Sequence, residues 1–326
     1  MKAKKWGAHL LLTTSILLIS IALINFYFDS TSANKSDFKY KSNDYYEGCY
    51  KTSYYEKNDY VGILFGSSLL YGVNVSLNKK YKTYNYSIGG STVFDYLIIL
   101  QHLKSINKLP EVVYIPLDFF IYNKNRNLSS YKFLSCANNN LNSINKNLLN
   151  SLKITRHHSF SDVIKFISKD RLINNIKHFL FQDKLSLLFN EDGTNIDDRY
   201  IFKVNKDSSR ITNHLKADHI DYTLDKKYFD ILESLSSFIR INEMEHVLFF
   251  NPINKIRLDS IYQNNNNEYL TWKKETLKIL NKHHIRNRDL THYSSDKLEL
   301  FKDSVHMYNI LQDDVFLKVI QNGSDD

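Results

Sequence analysis

Short apolar runs and one helical repeat alternate along the middle of this chain. Tyr60 to Phe65 is almost wholly apolar and is closed by Gly66, the pattern of a strand buried on both faces of a parallel sheet. Thr83 to Tyr86 is a second, weaker strand. Thr92 and Asp95 have the spacing of a capping box, and Val93, Leu97, Leu100 and Leu103 then recur near helical spacing, which predicts a helix to about Asn107. Pro110 ends that connection, and Val112 to Leu117 is a third strand. A strand, a helix and a strand in this order predict a right-handed βαβ unit. His246 to Phe250 reads as a fourth strand, stopped by Asn251 and Pro252. Beyond the Asn264 to Asn267 loop come a helix from Tyr269 to about Asn281, a short strand near Ile285 to Leu290, and a last helix with Leu311, Val315 and Val319 on one face. The segment from about Asn123 to Asp230, with an Asn-rich tract around Ala137 to Asn150 and short amphipathic stretches such as Val163 to Ile167 and Leu172 to Leu180, reads as a partly helical insertion.

The two ends of the apolar pattern set the domain organisation. Lys2, Lys4 and Lys5 precede Trp6 to Phe28, a stretch without Asp, Glu, Lys or Arg. About 20 helical residues cross a hydrocarbon core of about 30 Å, so this stretch is long enough to span. Its basic flank stays in the cytoplasm and everything after Asp29 lies outside. A cleaved signal peptide is the competing reading, with small residues at Thr31, Ser32 and Ala33; a buried core helix fits less well, because the run has no polar face. The expected division is residues 1–29 as cytoplasmic tip and transmembrane anchor, 30–59 as a polar, Tyr-rich juxtamembrane linker, and 60–326 as an α/β domain interrupted by the insertion at about 123–230. The expected location is the cytoplasmic membrane, single-pass, with the main domain periplasmic or extracellular.

Composition narrows the function classes. A chain of 326 residues with 43% hydrophobic positions has enough apolar surface for a sizeable core. The net charge of +8 comes from basic residues interspersed with acids, with no sustained Lys/Arg stripe beyond the first few positions, which argues against a nucleic-acid partner. Cys49 and Cys136 stand in no CxxC or metal-ligand spacing. They are either a disulfide of an exported domain or two unpaired small apolar residues. His283 and His284 lack an evident third ligand, so they read as surface residues and no metal is expected. Trp272, in its helical setting, reads as a packing residue rather than a platform for a sugar ring.

Ligands of doubly wound sheets bind beyond the carboxyl ends of the strands. Three polar segments sit at such ends: Gly66, Ser67 and Ser68 after the first strand; Ser87 to Ser91, with Gly89 and Gly90, after the second; and Asp118 after the third. A fourth, Asp303 to His306, opens the final helix. Each has a bland reading: Gly-Ser-Ser is a turn, Asp303 is a helix cap, and His306 is one of twelve histidines.

In this order, however, the four segments resemble the blocks of the SGNH/GDSL esterase and acyltransferase superfamily. The phrases YNYSIGGSTVFDYLIILQHL, PEVVYIPLDFF, VLFFNPIN and FKDSVHM are similar to its membrane-tethered branch, which acylates bacterial envelope polysaccharides and teichoic acids. The resemblance covers the sheet segments and not the insertion. It implies a three-layer α/β/α sandwich, flavodoxin-like, with about five parallel strands behind one transmembrane helix. It also implies a catalytic triad of Ser68 as nucleophile, His306 as base and Asp303 as the group that fixes the imidazole. The amides of Ser68 and Gly90 match oxyanion donors. Two positions depart from the pattern. Ser67 stands where the family has Asp, and Asp118 stands where hydrolases have an oxyanion-binding Asn; a carboxylate there repels an anion unless it is protonated or turned away.

The expected activity is therefore that of an extracytoplasmic serine esterase or O-acyltransferase, with acetyl transfer to a polysaccharide and no cofactor. A multi-pass membrane acyltransferase is the implied partner. The rival expectation is a catalytically degenerate accessory protein that binds glycan or scaffolds an acylation complex.

Overall fold

The computed structural model describes residues 44–124, 190–194, 222–303 and 306–321, together with residues 6, 9 and 12–21. The sequence folds around five strands: β1 (Gly62–Gly66), β2 (Thr83–Ser87), β3 (Val112–Leu117), β4 (Glu245–Phe250) and β5 (Asn287–Asp289). All pair in parallel, in the order β2-β1-β3-β4-β5. Every residue of β1 and β3 is buried, as continuous apolar runs require of strands covered on both sides.

Alternation along the strands divides the interior in two. Ile63, Phe65, Tyr84, Tyr86, Val113, Ile115, Leu248 and Phe250 belong to one core. It also takes in residues of α1 (Asp44–Lys57), α2 (Val93–Ser105), α3 (Lys227–Ile241), α4 (Lys255–Asn264) and α5 (Asn266–Lys282). Leu64, Val112, Tyr114, Val247 and Phe249 point to the other face, where α6 (Asn309–Ile320) packs through Leu311, Val315, Phe316 and Val319. The chain is thus an α/β protein whose parallel sheet is covered on both faces.

Most predicted elements appear close to their expected bounds. The capping box forms: Thr92 N–H donates to Asp95 Oδ2 at 2.8 Å, and Phe94 N–H donates to Thr92 Oγ1 at 3.3 Å. Three helices go beyond the expectation. α1 lies within the segment read as linker, with Lys51, Thr52 and Tyr55 buried. Polar and Tyr-rich composition gives no apolar stripe there, but Tyr55 packs against Tyr60, Tyr84 and Tyr86. α3 begins inside the expected insertion, and α4 fills the stretch between the fourth strand and the Asn264 to Asn267 loop.

β2 is an edge strand, and two devices cover it. Asn85 N–H donates to Asp192 O at 2.7 Å. The buried Lys51 ammonium donates to the carbonyls of Asn85, Ser87 and Gly193 at 3.1, 2.7 and 3.0 Å. Gly193 has φ +81°, and a Cβ there would sit 2.4 Å from Asn85 O, so only glycine lets this segment close on the strand.

Residues 12–21 are helical, with Leu12, Ile16, Leu17 and Ile19 exposed. Among the described residues no helix is long and apolar enough to cross a membrane. The remainder of the expected span, most of the 123–230 insertion and Cys136 lie outside the described residues.

Candidate active site

The strand order places β1 at the point where connections run to opposite sides of the sheet, first outward to β2 and then across to β3. In this topology that crevice, at the carboxyl ends, is the usual ligand site. Ser68 occupies it. Ser67, buried beneath, caps the short 3₁₀ turn Ser68–Leu70, its Oγ accepting from Leu69 N–H at 3.4 Å. Ser68 itself is partly exposed.

From the other end of the chain comes His306. Its Nε2 lies 2.9 Å from Ser68 Oγ across 238 positions of sequence. Its Nδ1 lies 2.8 Å from Asp303 Oδ2, and its backbone N–H donates to Asp303 Oδ1 at 2.7 Å. A carboxylate only accepts, so Nδ1 carries the hydrogen and Nε2 offers its lone pair to the serine hydroxyl. The side chains of His306 and Asp303 are 29% and 25% exposed, so a substrate can reach them.

Asp303 and His306 do not open the final helix, as their sequence position had implied. That helix starts at Asn309 with Tyr308 as its N-cap. Asp303 and His306 stand on a loop whose two stems pair, Phe301 against Met307, with Lys302 N–H donating to His306 O at 2.7 Å and Tyr308 N–H to Leu300 O at 2.9 Å. Phe301 and Met307 are buried and fasten the stems to the core around α6. Asp303 spends its side chain on the histidine rather than on a helix end.

Gly90 stands on the loop after β2. Ile88 N–H and Ser91 Oγ both donate to Gly66 O, at 2.9 and 2.5 Å, which ties that loop to the end of β1. Gly90 has φ +70°, a left-handed conformation natural to glycine. Among the described residues neither Ser68 N–H nor Gly90 N–H has an acceptor, which leaves both open for an anion.

Asp118 is buried after β3. Leu64 faces Tyr114 in the β1–β3 register, and Ser68 and Asp118 each follow four residues on, at the same rim. Leu117 faces Phe250 in the β3–β4 register, so Asp118 meets Asn251, whose Nδ2 donates to Asp118 Oδ1 at 2.8 Å. One carboxylate oxygen is thereby held toward β4. Leu69, Asp118, Phe120, Asn251, Asn254 and Arg257 are among the walls of a narrow cleft here of about 20 Å³. Sequence reasoning took Asn251 only as a strand stop; its one visible signal was a polar residue directly after a buried strand.

Farther along the rim, Asp289 pairs with Lys273 at 2.6 Å. Burial pushes the Asp289 carboxyl up, but hydrogen bonds from Lys273 and Thr291 outweigh it and leave it below the ordinary carboxylate value. Burial likewise lowers the Lys273 ammonium, and its bond to Asp289 leaves it above the ordinary amine value. Trp272 is buried among Phe119, Phe250 and Tyr269, a packing residue as expected. His283 pairs with Glu233, Nε2 to Oε1 at 2.6 Å, and His284 is exposed. Among the described residues no three His, Cys, Asp or Glu side chains converge on a metal position.

The arrangement joins a serine hydroxyl, an imidazole and a carboxylate in one chain of hydrogen bonds at the carboxyl end of β1. No protein-family model matches the chain, and no curated protein matches it significantly.

Proposed function

We propose that this chain is a serine esterase or O-acyltransferase that works through an acyl-enzyme on Ser68. The observation that carries the reading is the unbroken chain of contacts from Ser68 Oγ to His306 Nε2 and from His306 Nδ1 to Asp303. As Ser68 Oγ attacks the carbonyl carbon of an ester, its proton passes to His306 Nε2. The carbonyl oxygen becomes an anion, met by the N–H groups of Ser68 and Gly90. The bond to the leaving alcohol then breaks, and that alcohol takes the proton from His306. An acceptor hydroxyl, or water, next gives its proton to His306 and attacks the acyl carbon. Ser68 Oγ leaves with the proton returned. Asp303 stabilises the imidazolium at each stage and keeps the ring in one orientation.

The acceptor we infer is an envelope or exported polysaccharide, with the domain held outside the cytoplasmic membrane and the acyl group supplied across the bilayer by a multi-pass acyltransferase. These last elements rest on the resemblance of the sequence blocks.

Asp118 favours a second reading, an accessory protein that binds glycan without turnover, because a carboxylate replaces the third oxyanion donor. A fluorophosphonate probe separates the two. Covalent labelling of the full-length chain, abolished by Ser68→Ala, is the outcome expected of the enzyme. A folded chain that stays unlabelled supports the accessory protein instead.

A further inference from the structure

The contact between Ser68 and His306 joins two loops from opposite ends of the chain, so its length is set by what is packed between them. On the serine side, the turn Ser68–Leu70 runs straight into a second one. Leu70 N–H donates to Ser67 O at 3.1 Å, and Val73 N–H to Leu70 O at 3.3 Å. The buried Asn85 side chain fastens this stretch to β2, its Nδ2 donating to the carbonyls of Leu70, Tyr71 and Val73 at 2.9, 3.3 and 3.2 Å. The sheet thereby sets the serine. The histidine loop, raised on its own paired stems, needs a separate reference to it.

Gln312, in the first turn of α6, supplies that reference. Its side chain is fully buried and reaches both sides: Gly72 N–H donates to Gln312 Oε1 at 2.9 Å, and Gln312 Nε2 donates to Met307 O at 2.8 Å. Gly72 belongs to the stretch that carries Ser68, and Met307 directly follows His306. The partners settle which way the amide points, since Gly72 offers a donor and Met307 an acceptor. Asn74 N–H donates to the neighbouring Asp313 Oδ1 at 2.7 Å, a second tie from the serine's stretch to α6. Leu311, Val315 and Phe316 of the same helix pack into the core, where an unpaired amide is costly, so a glutamine among them needs both of its ends engaged.

We propose that Gln312 is a positioning residue, which ties the histidine loop to the stretch carrying the nucleophile and so holds His306 Nε2 within hydrogen-bonding distance of Ser68 Oγ. Its effect on turnover rests on the acyl-transfer reading above. A general base works only within about 2.6–3.2 Å of the group whose proton it takes. A misplacement of about 1 Å costs on the order of 10²-fold in rate.

Two measurements on the full-length chain separate positioning from packing. Gln312→Met keeps the length of the side chain and removes both bonds, while Val319→Ala removes buried packing two turns along the same helix. In aryl acetate hydrolysis, Gln312→Met should lower kcat by about 10²-fold with KM within about twofold. Val319→Ala should lower the melting point and leave kcat unchanged. In protein whose histidines carry labelled nitrogen, the His306 Nε2 resonance, identified by its loss in His306→Asn, moves when Ser68→Ala takes away its hydrogen bond. Gln312→Met should move it the same way, and Val319→Ala should not.

A folded Gln312→Met chain whose resonance stays in place overturns the proposal, whatever its melting point. If that chain does not fold, Gln312→Glu takes its place in both measurements, because it keeps an acceptor for Gly72 and sets a carboxylate against Met307 O. Failure of both to fold beside a folded Val319→Ala also overturns the proposal, leaving Gln312 a role in folding alone. An unmutated chain without turnover or fluorophosphonate labelling, but with a resonance that responds to Gln312→Met, keeps the bridge and loses the acyl-transfer reading. A chain that turns over equally well with Gln312→Met does the reverse.

Discussion

At the end of β1 the polar atoms form a complete chain. Ser68, His306 and Asp303 satisfy one another, and all three stand partly in solvent. At the ends of β3 and β4 the pair Asp118 and Asn251 is buried, and one of its acceptors is unmet. Both clusters sit on one rim, yet in the acyl-transfer reading proposed above only the first carries the chemistry. A nucleophile must be reachable and its proton path intact before the substrate comes, because catalysis depends on organisation that is already present. A buried amide–carboxylate contact instead ties two strand ends together in a low-dielectric setting, where each hydrogen bond made is stronger and each one missed is costlier.

The widest expected separation between the clusters comes from Asp303→Asn. The fold should survive, but the amide no longer holds the imidazole in the required tautomer, and ester turnover should drop by about 10³–10⁴. Hydrolysis of an aryl acetate, followed as kcat, checks this; a loss of only a few-fold would mean that the first cluster is an incidental contact.

Gly90→Ala probes the first cluster more gently. A side chain at φ +70° costs about 1–2 kcal/mol, so a melting point lower by several degrees is expected, with slower fluorophosphonate labelling as the amide swings off its line. Labelling that keeps its rate in a destabilised chain would remove Gly90 from the oxyanion site.

The smallest effect belongs to Asp289→Asn, at the margin of the second cluster, where Thr291 both donates to Asp289 and lines the cleft. The folded-state carboxyl lies below its ordinary value, so the pair with Lys273 stabilises the fold above that ordinary value. The contribution fades as pH falls through the lowered folded value. With Asp289 nearly half exposed, about 0.5 kcal/mol or less is expected at neutral pH. Urea midpoints of the two proteins should converge on acidification, and a difference that persists in acid would place the effect in packing rather than charge.

The sheet and the position of Ser68 at its carboxyl rim were legible because their signals are local. β1 and β3 are unbroken apolar runs, and the Thr92–Asp95 cap reads directly from its spacing. What escaped depends on distant partners. α1 buries Lys51, Thr52 and Tyr55, residues whose types belong to a solvated segment, and the carbonyls of β2 and Gly193 that receive the lysine come from distant parts of the chain. α3 does carry a regular stripe, Tyr228, Ile231, Leu232, Leu235 and Ile239, but its first turn falls inside the segment read as an irregular insertion. Asp303 and His306 stand directly before the last apolar helical face, which suggests a helix start; the pairing of Phe301 with Met307, which sets them ahead of that helix, is a tertiary event.

The closed margin of the sheet has a consequence for life in company. A sheet with bare strand edges is a template on which a neighbouring molecule can lay its own strand, and such growth ends in aggregates. Here Lys51 and the 190–194 segment occupy one margin, while the opposite strand, Asn287–Asp289, is only three residues long and ends in charge. Neither margin therefore offers a neighbouring copy a long bare strand on which to extend the sheet.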